Sequence, residues 1–204
     1  MRSDYLGHLT APGREALIAY GVTTVIDLRS ASEVANKPNP FADGSGPAYV
    51  HRELIDDANM RQIGDSPDMF ERYLTILDNR PQAFRAIFES VAAVDGGVLF
   101  HCYAGKDRTG LIAAMLLHLA GVSPGDIAVD YGETDLCLAP QYEKWITEAA
   151  PERREAFRQE LRCPPERILG VLEHLQGKWG GVDGYLESSG MTPANIDRLS
   201  AKLE

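Results

Sequence analysis

The chain has 204 residues, of which 44% are apolar and 25% charged, and it carries a formal net charge of −10. That length suffices for one globular domain over residues 1–204 with a sizeable core, and the acidic balance excludes bulk attraction to nucleic acid or anionic membranes. No apolar run reaches the roughly 18 residues of a membrane span, and the start, Met1-Arg2-Ser3-Asp4-Tyr5-Leu6, has no signal-peptide stretch.

In chain order, Thr10 predicts the cap of a first helix running through Tyr20, with Gly21 as its stop. Val22 to Leu28 reads as a buried strand rich in β-branched residues. Residues 30 to 47 read as loop, because Pro38, Pro40, Gly44, Gly46 and Pro47 preclude a long element. Tyr49 to Ile55 predicts a second strand. Ser66-Pro67 predicts the start of a helix to about Leu77, and Pro81 another to about Val94. Val98 to Phe100 is the expected central strand. Thr109 to Ala120 is apolar almost all round, the pattern of a buried helix. From Ser123-Pro124 onward the chain reads as helical, with breaks near Pro140, Pro151, Pro164, Gly180 and Pro193. The expected fold is α/β, with a small central sheet flanked by helices and a mostly helical C-terminal half.

The chemistry concentrates between the central strand and the buried helix. His101-Cys102-Tyr103-Ala104-Gly105-Lys106-Asp107-Arg108-Thr109-Gly110 places a cysteine at the end of a strand and an arginine after five intervening residues. Attack on phosphorus requires a thiolate. A helix N-terminus, with free N–H groups and a favourable dipole, supports negative charge there. Small residues at Ala104 and Gly105 let successive loop N–H groups curl into an anion nest. Arg108 adds a fixed positive charge and can offer two parallel N–H bonds to phosphate oxygens, which lysine cannot copy. Thr109 adds a hydroxyl close to the sulfur. Such donors match the charge on a transferring phosphoryl group. With a net charge of −10, the chain must concentrate positive potential locally, and Lys106, Arg108 and the helix N-terminus do so.

His-Cys-x5-Arg-Thr-Gly resembles the signature loop of the protein tyrosine phosphatase superfamily. The form His101 to Gly110 takes here is similar to a bacterial branch of broad-specificity tyrosine and phosphoinositide phosphatases. Val25-Ile26-Asp27-Leu28-Arg29-Ser30 with Glu33, Asp130-Tyr131, and Gly180 to Leu186 followed by Gly190-Met191-Thr192 and Ile196 resemble further segments of that branch, so the resemblance covers nearly the whole chain. The branch usually carries an N-terminal Asn-x-Arg-Asp segment ahead of the part matching Met1 onward. This chain lacks it, which leaves an edge strand and one pocket wall unassigned.

The resemblance implies a cysteine phosphatase-like fold, Cys102 as nucleophile and Arg108 as phosphate clamp. It implies that His101 orients the cysteine from behind the loop rather than moving a proton. The Trp-Pro-Asp segment that carries the general acid in much of the superfamily is absent, leaving Asp107, by analogy with related lipid phosphatases, and Asp57 or its neighbour Asp56. Lys106 is expected to point into the pocket mouth, where the resemblance implies a preference for polyanionic head groups. Tyr103, Ala104, Gly105, Lys106, Arg108 and Thr109 are the candidate substrate-binding residues. Asp27, Arg29 and Glu33 read as an ion-pair network supporting the loop. His118 and His174 sit on apolar helix faces and read as core. Cys137 and Cys163 read as packing residues, and an odd cysteine count with a reactive member points to a reducing compartment and a cytoplasmic protein; export without a signal peptide would leave no mark. No cluster has metal-ligand spacing, so neither metal nor other cofactor is expected.

The leading function is a metal-independent phosphomonoesterase acting through a phosphocysteine on phosphorylated proteins or phosphoinositides, with no nucleic-acid partner and no stable membrane insertion. The alternatives are a phosphatase of inositol phosphates or nucleotides, a phosphate-binding module without turnover, and a sulfurtransferase. A thiol is superfluous in a mere binding module, and a sulfurtransferase gives no reason for Arg108-Thr109 at this spacing. Oligomeric state is not encoded in any feature of the sequence.

Overall fold

The computed structural model of the protein describes residues 1–64, 66 and 68–203. Among these, four parallel strands form one sheet: β1 (Arg2–Ser3), β2 (Val22–Asp27), β3 (Ala48–His51) and β4 (Gly97–His101), in the order β1-β4-β2-β3. The register aligns Ser3, His101, Asp27 and His51 across the carboxyl ends of the strands. Ligands of open α/β sheets sit at that end.

The pleat divides the strand side chains between two faces. Val22, Val25 and Leu99 pack with Leu6 and Phe41 on one side, against Leu17 of α1 (Ala11–Ala19). Ile26 and Phe100 face the larger core on the other side. That core is built from α4 (Met69–Asn79), α5 (Pro81–Ala93), α6 (Asp107–Leu119), α7 (Pro124–Glu148), α9 (Pro165–Trp179), α10 (Val182–Ser188) and α11 (Pro193–Leu203). Every residue of α6 from Arg108 to Leu116 is buried, as its all-round apolar sequence requires. Thr10 caps α1 by accepting from Gly13 N, as expected.

Several elements differ from expectation. Residues 30–47 are not all loop, because α2 (Ala31–Asn36) lies within them, started by a capping box in which Ser30 and Glu33 satisfy each other's backbone N–H. The proline and glycine residues that signalled loop begin only after it. Strand β3 ends at His51 rather than Ile55; Arg52 N and Leu54 N still bond to Asp27 O and Leu28 O, without strand geometry. A short helix α3 (Asp57–Gly64) follows. Of the expected Ser66-Pro67 helix start, Pro67 lies outside the described residues; α4 begins at Met69 with Asp68 as its cap. Pro140 does not break α7. It is exposed, as is Leu136, whose carbonyl it deprives of a helical donor, so the loss falls on the solvent side of the helix. Arg2–Ser3 supplies the edge strand that the missing N-terminal pattern left unassigned. His118 is only half-buried and His174 meets Asp78 at 3.1 Å near the surface, so neither is core. Cys163 is buried but Cys137 is exposed, and no disulfide joins them. Between α7 and α9, α8 (Arg154–Leu161) packs Phe157 and Leu161 on Tyr142 and Ile146 of α7.

Candidate active site

The loop from Cys102 to Lys106 leaves β4 at the carboxyl edge of the sheet and enters α6 at Asp107. It is held from both sides. Leu28 N donates to His101 O at 2.8 Å, and Tyr5 N donates to Tyr103 O at 3.0 Å. Gly105 has φ +67°, and a Cβ there would lie 2.4 Å from the Ser3 carbonyl oxygen, so both conformation and space demand glycine. Cys102 sits at the base, 2% exposed.

Arg108, in the first turn of α6, is 7% exposed. Its Nη1 and Nη2 donate to Glu33 Oε2 and Oε1 at 2.5 and 2.8 Å, an end-on bidentate pair. Burial opposes the guanidinium charge, but the Glu33 carboxylate and the neighbouring Cys102 and Asp107 outweigh it and keep Arg108 firmly protonated. Burial likewise opposes ionisation of Glu33, and Arg108 overcomes it, holding that carboxyl below its ordinary value. A guanidinium has five N–H donors. The end-on pair leaves the side-on edge, Nε–H with one Nη–H, for another anion. Thr109 Oγ1 is buried with no hydrogen-bond partner among the described residues.

Beneath the loop lies a buried polar network. Asp27 accepts from Arg29 N, Nε and Nη2 at 3.1, 2.9 and 2.6 Å and from Tyr49 OH at 3.2 Å. Arg29 also donates from Nη1 to Lys37 O at 2.8 Å and lies over the Tyr5 ring. His101, fully buried, bonds through Nδ1 to Cys102 O and through Nε2 to Asn39 Nδ2, both at 2.8 Å. The carbonyl requires a donor and the amide NH2 an acceptor, which assigns the neutral Nδ1–H tautomer. Burial lowers the His101 pKa despite the nearby Asp27. His101 thus fixes the carbonyl of the cysteine from behind.

The carboxylates separate clearly. Asp107 is one-third exposed; its Oδ1 accepts from Tyr73 OH at 2.5 Å and lies 3.7 Å from Lys106 Nζ. Asp57 accepts from Ser32 Oγ and N at 2.5 and 3.1 Å, beside Ser30 and Glu33 at the start of α2, and the serine hydroxyls hold it below the ordinary carboxylate value. Asp56 bonds Asn59 and the Arg80 guanidinium, the latter at 2.6 Å, and is a structural bracket. Lys106 does not point freely into the mouth as expected: it is 4% exposed, and its Nζ donates to Glu160 O near the end of α8 at 2.8 Å. Tyr103 is 39% exposed, its hydroxyl accepting from Lys37 Nζ at 2.6 Å. With Ala104 it borders a groove of about 340 Å³ whose other walls are Asp4 and Tyr5 on one side and Leu138 and Trp145 of α7 on the other.

Sequence reasoning missed Asn39 and Tyr73. Asn39 lies among loop signals. Tyr73 lies on the apolar stripe of an amphipathic helix, where a buried tyrosine reads as core; the signal available was that a buried hydroxyl needs a partner.

The whole chain, residues 1–204, matches the model of the tyrosine phosphatase family. It is 35% identical to a tyrosine-protein phosphatase of Nostoc commune, over 100% of this chain and 73% of the relative. It is 30% identical to the triple specificity protein phosphatase PtpB of Mycobacterium tuberculosis, over 99% of this chain and 89% of the relative. A cysteine at a strand end, a loop bent at Gly105 and a buried arginine fork suit phosphoryl transfer, and the matched relatives carry that activity in their names. The chain belongs to the tyrosine phosphatase family and is a cysteine-dependent protein phosphatase.

Proposed function

We propose that the protein hydrolyses phosphotyrosine in proteins first, with phosphoserine, phosphothreonine and phosphoinositides as further substrates, through a metal-independent phosphocysteine route. Residues 1–204 act as one domain in this reading, in the cytoplasm; among the described residues no helix is long and apolar enough to cross a membrane. The observation that supports it is the buried Arg108 fork, pinned end-on by Glu33, which leaves its Nε–Nη edge for two phosphate oxygens.

In the first step the Cys102 thiolate attacks phosphorus. The S–P bond forms, the P–O ester bond breaks, and the leaving oxygen takes a proton from Asp107. In the second step Asp107, now ionised, takes a proton from water as that water attacks the phosphocysteine. Phosphate leaves and the thiolate is regenerated. Loop N–H groups from Tyr103 to Thr109 and the Arg108 fork hold the equatorial oxygens throughout. Asp107 is preferred to Asp57 as the acid because it adjoins Arg108 on the segment that follows Cys102, whereas Asp57 lies at the start of α3, bonded to Ser32 of α2. The phosphoinositide arm requires Lys106 to leave the Glu160 carbonyl for the head group. Lys106→Met is therefore expected to lower phosphoinositide turnover several-fold more than p-nitrophenyl phosphate turnover; equal effects on both would remove Lys106 from substrate selection.

The test is turnover of p-nitrophenyl phosphate and a phosphotyrosine peptide in EDTA, with acid-quench trapping of the phosphoenzyme. Full activity with phosphate on Cys102 is expected. Loss of activity on chelation, or a quenched enzyme carrying no phosphate at Cys102, would overturn the route. Glu33→Gln is expected to lower kcat/KM by about 10- to 100-fold, since a neutral amide keeps one bond and lets the buried fork rotate; steady-state rates check this.

A further inference from the structure

Asp107 Oδ1 accepts from Tyr73 OH at 2.5 Å. Tyr73 OH lies 2.9 Å from Tyr131 OH, and Arg167 Nη1 lies 3.5 Å from Tyr131 OH. The directions of these bonds are forced. Asp107 Oδ1 takes the Tyr73 proton, so Tyr73 oxygen must accept from Tyr131. Arg167 has only donors, so Tyr131 oxygen accepts from it. The result is a one-way chain from the cation of Arg167 on α9, through Tyr131 on α7 and Tyr73 on α4, to the carboxyl that opens α6. Tyr73 is 0% and Tyr131 1% exposed. The Tyr131 ring lies against Gly110, where an added Cβ would sit 3.1 Å from it. Burial keeps both phenols protonated well past neutrality.

We propose that Tyr73, with Tyr131 and Arg167 behind it, is a positioning residue for Asp107: it holds Oδ1 and leaves Oδ2 as the oxygen that carries the transferable proton. The inference rests on Asp107 being the general acid. α4 holds Oδ1 directly, and α7 and α9 back that bond through the chain, which fixes the rotamer of the carboxyl. The other charged or titratable groups around Asp107 are Lys106 and Arg108 on its own segment, Tyr142 on α7, and Cys163 between α8 and α9.

The experiment compares pH profiles of kcat/KM for wild type, Tyr73→Phe, Tyr131→Phe and Asp107→Asn, on phenyl phosphate (poor leaving group) and dinitrophenyl phosphate (good leaving group). Asp107→Asn should remove the alkaline limb and slow phenyl phosphate most. Tyr73→Phe removes the bond that fixes Oδ1 and frees the carboxyl to rotate, so proton delivery to a poor leaving group is impaired. Its phenyl phosphate rate should fall about tenfold, with less than about twofold change on the good leaving group. Tyr131→Phe keeps the Tyr73 bond and should give the same leaving-group-dependent loss, but smaller; it also serves if Tyr73→Phe does not fold. Equal losses on both substrates in the tyrosine variants, while Asp107→Asn behaves as an acid variant, would overturn the positioning role alone. An unmoved limb in Asp107→Asn would overturn the acid assignment, and the positioning role with it.

Discussion

Replacing Cys102 by serine is expected to lower kcat/KM for p-nitrophenyl phosphate by about 10⁵-fold or more while leaving phosphate-ester binding intact. Oxygen for sulfur changes little volume at a site that is 2% exposed, so the loop should keep its shape. The alcohol, however, holds its proton where a thiol gives it up, and His101 cannot take that proton, because both its nitrogens are engaged behind the loop. The Arg108–Glu33 pair is untouched, so a phosphotyrosine peptide should bind the variant within about threefold of wild type. Rates and peptide titration together check this. A variant retaining one part in a hundred of the rate would exclude a phosphocysteine.

Replacing Asp27 by alanine is expected to destabilise the protein by about 3–5 kcal/mol, the range for leaving one member of a buried ion pair unpaired, and to lower Tm by roughly 10 °C. Arg29 and Asp27 are both fully buried, and Asp27 satisfies three Arg29 donors and the Tyr49 hydroxyl. The same network predicts acid lability. Burial works against ionising Asp27, but Arg29 and His101 outweigh it, so its folded pKa lies below the ordinary 3.8. Burial also lowers His101 below 6.5. Both groups bind protons more readily unfolded than folded. Stability is therefore fully present above about pH 6.5, declines as His101 is driven toward its charged form, and declines again as Asp27 protonates below about pH 4. Urea midpoints from pH 8 to pH 3 check the trend. In Asp27→Asn the lower phase should shrink, the remainder coming from Glu33 and Asp57. A midpoint independent of pH in the wild-type protein would show that the network does not carry this stability.

Much of the site is readable because it is contiguous. Cysteine, five residues, arginine, threonine and glycine on a strand-loop-helix segment fix which atoms can face one anion, whatever surrounds them. The burial of α6 follows from its apolar circumference, and the start of α1 from Thr10. The errors have equally local causes. Prolines and glycines after residue 37 mask the Ser30–Glu33 capping box, and Pro140 signals a break in sequence although it lies on an exposed face of α7.

The sequence by itself determined the loop, the residues proposed to bind an anion there and the strand and helix that hold it, because each depends on spacing within about fifteen residues. Only the tertiary structure decided the partners. Glu33 reaches Arg108 across 75 residues, Tyr73 reaches Asp107 across 34, and Lys106 turns to Glu160 across 54. These pairings depend on the register of β2 against β4 and on how α4, α7, α8 and α9 dock around α6. A charged or hydroxyl side chain carries no periodic mark of its distant partner, so the packing of the apolar faces selects it.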